Sequence, residues 1–328
     1  MKRIILLLLL INLFQGGHAQ LVHGIVLDKS DNSKIGFASI YINGTNIGTL
    51  SGQDGQFELD ITKHASLPLT ISALGYYTVT ITDFTGEKPI DVYMAPKMFE
   101  LNEVIVSAKS TAKERRANLK LFKEQFLGES YNGRNCVIQN EDDITFKASG
   151  DTLKAYASKP ILIVNNALGY KIAYYLDKFE YCWKGKSFLY KGSSLFSEDM
   201  SEKMTKKNFF ENRRRNTYIG SRSHFFSSLW TNTLQVNGFS IKNSIDKIIN
   251  YKDIVIEDTD FKKYLSSKDN LYICYLSNSP NSMIELKNPN NPVFFDSSGY
   301  FDGSNVRVIG QMAKQRIGDL LPYDYRLK

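Results

Sequence analysis

Cysteine, histidine and tryptophan are scarce in this chain of 328 residues, at three, four and two copies. Three cysteines cannot build the disulfide framework of a small secreted scaffold, and Cys136, Cys182 and Cys274 are too far apart for a zinc ribbon or finger. No histidine belongs to a His-Glu-x-x-His pair, and no Gly-x-Ser-x-Gly elbow, Walker loop or dinucleotide fingerprint occurs. Only 8 prolines among 22 glycines exclude collagen and low-complexity linkers, and 42% hydrophobic residues exclude a disordered chain. Charge of one sign is also lacking. The 41 basic residues exceed the 34 acidic ones by seven, too small a surplus for a nucleic-acid binder.

One apolar run is present, at the N-terminus. Lys2 and Arg3 precede Ile4 to Leu10, continued by Ile11, Leu13 and Phe14, and the small residues Gly17 and Ala19 then fit the −3 and −1 subsites of signal peptidase. This pattern predicts a cleavable signal peptide over 1–19, since the run is about half of the ~20 residues that a spanning helix needs. The expected product is exported to the periplasm or associated with the outer membrane or cell surface, with no transmembrane segment after cleavage. Losing Lys2 and Arg3 reduces the 41 basic residues to 39 against 34 acids. In an oxidising compartment the three cysteines either form one pair and leave one thiol, or stay reduced in apolar surroundings. Their flanks (Val137-Ile138, Tyr181 and Trp183, Ile273 and Tyr275) favour buried strand positions.

Residues 20–96 read as short strands separated by turns. "LVHGIVLD", "IGFASIYI", "QFELDI", "PLTISALGYYTVTI" and "PIDVYMAP" carry the strand patterns, with Asn43-Gly44 and Asp54-Gly55 as hairpin signals. No helical period interrupts them, which predicts an all-β sandwich. Asn43-Gly-Thr45 also fits the glycosylation pattern, but Asn-Gly is what a tight turn requires, and the turn is the preferred reading.

Val22-His-Gly-Ile-Val26, Gly36-Phe-Ala-Ser-Ile40, Gly44-Thr45, Gly48-Thr49, Asp54-Gly-Gln-Phe57 and Ser72-Ala-Leu-Gly-Tyr76 together resemble the carboxypeptidase-regulatory-like domain. The resemblance implies a transthyretin-like sandwich of the kind that precedes the plug of TonB-dependent receptors. "LNEVIVSA" (101–108) is similar to the segment that follows the module there, so 97–112 is expected to be a linker or an added edge strand. The serial alternating strands of a membrane barrel are missing. The zinc peptidase that the family name suggests is also missing: His23, His64 and His224 are followed by Gly-Ile-Val, Ala-Ser-Leu and Phe-Phe-Ser, never by Glu at the third place.

Residues 113–328 predict a larger α+β domain. Ser110 or Thr111 caps a helix with Leu119, Phe122, Phe126 and Leu127 on one face, ended by Gly128. An antiparallel meander follows to about Asp199, then helices at about 201–218 and 221–236, a shorter strand set, and a docked tail. This part resembles an uncharacterised domain fused to the same module in secreted Bacteroides-type proteins, through Phe122-Lys-Glu-Gln-Phe-Leu-Gly128, Tyr190-Lys-Gly192, Tyr218-Ile-Gly-Ser221 and Leu320-Leu-Pro-Tyr-Asp-Tyr325. The resemblance brings no activity with it.

The densest polar constellation lies in the two helices. Lys206, Lys207, Arg213, Arg214, Arg215, Arg222 and His224 form a candidate anionic-ligand surface, suited to lipopolysaccharide, phosphate or a uronic-acid glycan. Gly220-Ser221 at a helix start adds free N–H groups as an anion nest. Arg214 is expected to face water, with a neighbouring arginine buried, because three successive helical positions span about 200°. No residue is assigned a catalytic, cofactor-binding or metal role. The leading expectation is an exported cell-envelope interaction or scaffold protein without catalytic activity. The alternatives are a glycan or anionic-ligand binder and, behind it, a hydrolase.

Overall fold

The computed structural model describes residues 20–62, 64, 66–82, 84, 88–97, 111–199, 203–258 and 262–327. The expected signal peptide and the Glu103–Val106 strand lie outside them.

The N-terminal part folds as β1 (Leu21–Asp28), β2 (Ser39–Ile42), β3 (Gly48–Leu50), β4 (Gln56–Asp60), β5 (Leu69–Ser72), β6 (Val79–Ile81) and β7 (Ile90–Met94). Sheet β4-β1-β7 faces sheet β3-β2-β5-β6. Alternation decides which side chains meet between them: in β4, Phe57 and Leu59 are buried while Gln56, Glu58 and Asp60 are exposed. They pack with Val22, Val26, Val92 and Met94 against Ile40, Ile42, Leu69 and Ile71 of the other sheet. The expected all-β sandwich is present, with β1 antiparallel to β4 and parallel to β7.

The second domain begins with α1 (Ala112–Phe126). Thr111 caps it in a reciprocal box with Glu114. There follow α2 (Tyr131–Arg134), β8 (Cys136–Ile138), β9 (Ile144–Ser149), β10 (Thr152–Ala157), β11 (Ile161–Asn165), β12 (Tyr170–Cys182) and β13 (Ser187–Glu198). The thirteen residues of β12 are long enough to pair with β11 near its start, β10 near its end and β13 along its length. Phe122 and Phe126 of α1 seal this sheet against Phe146, Tyr174 and Phe179. Next come α3 (Lys203–Tyr218), α4 (Arg222–Trp230), β14 (Phe239–Lys242), α5 (Tyr251–Ile254), β15 (Val255–Glu257), β16 (Lys263–Leu265), β17 (Leu271–Tyr275), β18 (Ser282–Leu286), β19 (Val293–Phe295) and β20 (Val306–Gly310). These strands form sheets β14-β17-β18-β20 and β15-β16-β19. Phe225, Phe226 and Leu229 of α4 sit in their core.

The helix expected over 221–236 stops at Trp230. Asn232 is left-handed, and the hydroxyls of Thr231 and Thr233 and the amide of Asn237 bond around Ser228, so local side-chain bonding replaces the next turn. All three cysteines are free, on or at the end of strands, and Cys274 is fully buried.

The Asn43-Gly44 turn is buried against the second domain. Gly44 N–H donates to the Ser194 carbonyl at 2.7 Å, Ser194 N–H to Asn43 Oδ1 at 2.9 Å, and Phe196 N–H to the Thr45 carbonyl at 2.8 Å. Thr45 thereby forms a parallel bridge with Leu195 on the outer edge of β13. Tyr323 N–H closes the arrangement on the Gly44 carbonyl at 2.8 Å.

Candidate functional site

The second domain contains an open cleft of about 790 Å³ between the end of α1, α2, the last turn of α3 and the C-terminal tail. Its floor depends on glycine. A Cβ on Gly133 would run into the Leu127 and Gly128 carbonyls, and one on Gly318 would meet the Gly133 backbone. Their absence lets the tail approach closely enough for Gly318 N–H to donate to the Leu127 carbonyl at 3.0 Å.

Asp319 on that tail is the hub of the polar wall. Its Oδ1 accepts from Ser130 Oγ at 2.8 Å and from Asn132 Nδ2 at 2.9 Å. Asn132 Nδ2 also reaches Thr217 Oγ1 at 2.9 Å, and Arg213 Nη2 donates to Asn132 Oδ1 at 3.1 Å. Burial raises the Asp319 carboxyl above its usual range, while these donors and the Arg213 charge pull it back. The Arg213 guanidinium lies 4.0 Å over the exposed Tyr131 ring, and its buried Nε has no hydrogen-bond partner among the described residues. Opposite, Arg316 lies 4.0 Å over the Phe188 ring and donates through Nη1 to the Ala313 and Gln315 carbonyls, and burial lowers its pKa. Lys314 is exposed, and Tyr275 completes the aromatic lining.

The charge on this lining is unevenly compensated. Among the described residues, Arg213, Lys314 and Arg316 make no ion pair within 4.0 Å, and the Asp319 charge acts on both arginines from farther off. On the acidic side, Glu124 faces Lys120 at 3.9 Å and Asp319 is held by its donors, which leaves exposed Glu129. The cleft therefore offers three cations, two tyrosine faces and a ring of side-chain amides.

The residues expected to form one basic surface are separated by the fold. Arg213 lines the cleft. Lys206, Lys207 and Arg215 are exposed elsewhere on α3. Arg214, expected to face water, is buried: Nε donates to the Leu168 carbonyl at 2.8 Å, Nη1 pairs with Glu198 at 3.2 Å and Glu211 at 3.7 Å, and the guanidinium stacks on Tyr170 at 4.0 Å. Arg222 donates its backbone N–H to Gln315 Oε1 at 3.0 Å. His224 is buried among Tyr218, Phe239 and Tyr275, and burial depresses its pKa. Its Nδ1 accepts the Gly220 N–H at 3.1 Å while Ser221 Oγ caps the His224 N–H at 3.0 Å, so the expected anion nest is filled internally. Lys314, Arg316, Asp319 and Tyr131 escaped the sequence reading, because nothing local links the tail to α2 and α3.

Residues 22–106 match the family described as the CarboxypepD_reg-like domain. The N-terminal sandwich is a CarboxypepD_reg-like domain. The match covers about a quarter of the chain and leaves the cleft outside it. No curated protein matches the chain. A crystal structure of a putative membrane-associated protein of unknown function from Bacteroides fragilis NCTC 9343 aligns with 48% of this chain at 11% identity and a TM-score of 0.19, too low to carry an argument. The chain covers 64% of that protein's length, less than two thirds. Among the described residues, no group of three or more His, Cys, Asp and Glu could hold a metal ion, in the CarboxypepD_reg-like domain or beyond it. No helix among them is long and apolar enough to cross a membrane.

Proposed function

We propose that this is an exported cell-envelope binding protein, in which the CarboxypepD_reg-like domain braces a second domain that recognises an anionic, hydroxyl-rich ligand such as a uronic-acid glycan. One observation carries the reading: the cleft holds Arg213, Lys314 and Arg316 without ion-pair partners among the described residues, beside the faces of Tyr131 and Tyr275. Arginine forks suit carboxylates, tyrosine faces suit sugar rings, and the amides of Asn132, Asn281, Gln311 and Gln315 suit hydroxyls. Asp319 is engaged by Ser130 and Asn132 and serves to hold the wall of the cleft. Retention on immobilised polygalacturonate tests the reading. The chain should be retained at low salt, be released by added salt, and pass through a column of neutral dextran. Free passage through both columns would reject the proposal.

A further inference from the structure

Where the two domains meet, a second cavity of about 200 Å³ is walled by β2 and β5 on one side and by the Ala157–Pro160 turn and β12 on the other. Among the described residues its lining holds two lysines, Lys97 and Lys159, and no acid. Ser39, Ser72, Ser158 and Tyr175 add hydroxyls. Lys159 contacts Asp143 at 3.1 Å outside the lining and keeps other N–H donors. Lys97 acts on Asp177, whose carboxyl is raised above its usual range by burial and pulled back by the Lys191 and Lys97 charges. Lysines and hydroxyls that converge on a cavity whose described lining has no carboxylate are the chemistry of a phosphate-bearing ligand.

The same lining includes Phe37 and Leu74, which are 71% and 69% exposed. The antiparallel register pairs Ser39 with Ser72, and continuing it two residues places Phe37 opposite Leu74. Leu50, the partner of Ser39 across β2 and β3, is 61% exposed, and nearby Tyr77 is 54% exposed. Phe37 has φ 59, a left-handed conformation that a phenylalanine rarely adopts. Leu74 sits on a turn closed by Tyr76 N–H on the Ala73 carbonyl, with Gly75 at φ 86 and nothing within 4 Å of where its Cβ would stand. Neither large side chain serves a core. Both project beside a cationic cavity.

We infer that this end of the molecule seats on an anionic phospholipid surface, with a headgroup phosphate between Lys97 and Lys159 and with Phe37 and Leu74 in the acyl boundary. Free phosphate has no use for an apolar rim, and a neutral bilayer has no use for two lysines on a lining without a carboxylate among the described residues. The inference is independent of the cleft described above.

The test is co-sedimentation of the full chain with phosphatidylcholine vesicles, with and without phosphatidylglycerol. Residues 1–19 are common to all samples, so their contribution cancels between variants. The chain should prefer the phosphatidylglycerol vesicles. Phe37→Asn with Leu74→Ser should weaken that binding at least about tenfold with the melting temperature unchanged or raised, because asparagine tolerates φ > 0. Lys97→Gln with Lys159→Gln should remove the preference for phosphatidylglycerol. Three results would each overturn the inference. They are equal sedimentation with both vesicle types, undiminished binding by the Phe37/Leu74 variant, or protection by inorganic phosphate without vesicle binding, which marks a free-phosphate site. Self-association lost in the Phe37/Leu74 variant, without vesicle binding, would assign the patch to a second copy and overturn it too.

Discussion

Tyr41 of the sandwich stacks on Tyr175 of the second domain, with ring centroids 4.9 Å apart and planes 20° apart, and its hydroxyl shares a 2.6 Å hydrogen bond with Ser193 Oγ. Tyr41 is fully buried, and burial holds its phenol well above the usual range. The two domains are therefore bound through a packed contact as well as through the Asn43–Thr45 loop. Both tryptophans, Trp183 and Trp230, lie in the second domain, so their fluorescence reports that domain alone. Tyr41→Ala should cost about 3–5 kcal/mol and lower the tryptophan-detected melting temperature, although the substitution is in the sandwich. A melt unchanged by this probe would mean that the domains unfold independently.

Arg214→Gln should destabilise the chain by about 3 kcal/mol, because it removes a buried guanidinium that bonds the Leu168 carbonyl, pairs with Glu198 and Glu211 and stacks on Tyr170. Arg215→Gln, at an exposed position, should stay within about 0.5 kcal/mol. Chemical denaturation of the two variants side by side checks both values. Equal midpoints would contradict the burial of Arg214.

His224 supplies a pH dependence of definite sign. Burial holds its folded pKa below the ordinary imidazole value of about 6.5, so the unfolded chain binds the proton more readily. The stability it contributes is complete above about 6.5 and declines as pH falls through that value toward the folded pKa. Protonation at Nδ1 also removes the acceptor for Gly220 N–H. His224→Asn keeps an acceptor that does not titrate, and it should flatten the stability profile between about pH 7 and 5. A profile as steep as the wild type's would assign the slope to other groups.

Cys136 should resist alkylation. Burial, with a contribution from Asp319, pushes its thiol up to about 12, so little thiolate exists near neutrality. Mass spectrometry after iodoacetamide treatment of the native protein should find Cys136 and fully buried Cys274 unmodified. Rapid labelling of Cys136 would contradict the packing around α2.

Local chemistry made much of the fold readable. The Thr111 cap, the alternation in β4 and the period of α1 each name their own partners within a few residues. What stayed hidden depends on distant partners. Asn43-Gly44 announces a turn, but its burial depends on Ser194, about 150 residues away. Helical spacing dictates that one of Arg213, Arg214 and Arg215 turns inward. The choice of Arg214 is made by Glu198 and by the Leu168 and Gly169 carbonyls, which the sequence cannot place. Likewise Arg316 and Asp319 sit in a short tail with no motif, and they meet Ser130, Asn132 and Arg213 only through the Gly133–Gly318 contact.

Binding of an acidic glycan in the proposed Arg213–Lys314–Arg316 cleft is tested by calorimetric titration of an oligogalacturonide into the wild-type chain and into Arg213→Gln and Arg215→Gln. Both variants lose one charge from neighbouring positions of α3, so net charge is matched. The wild type and Arg215→Gln should bind, with affinity at least about tenfold weaker in Arg213→Gln. Equal weakening in both variants would reduce the interaction to diffuse surface charge, and no heat in any titration would contradict the claim outright.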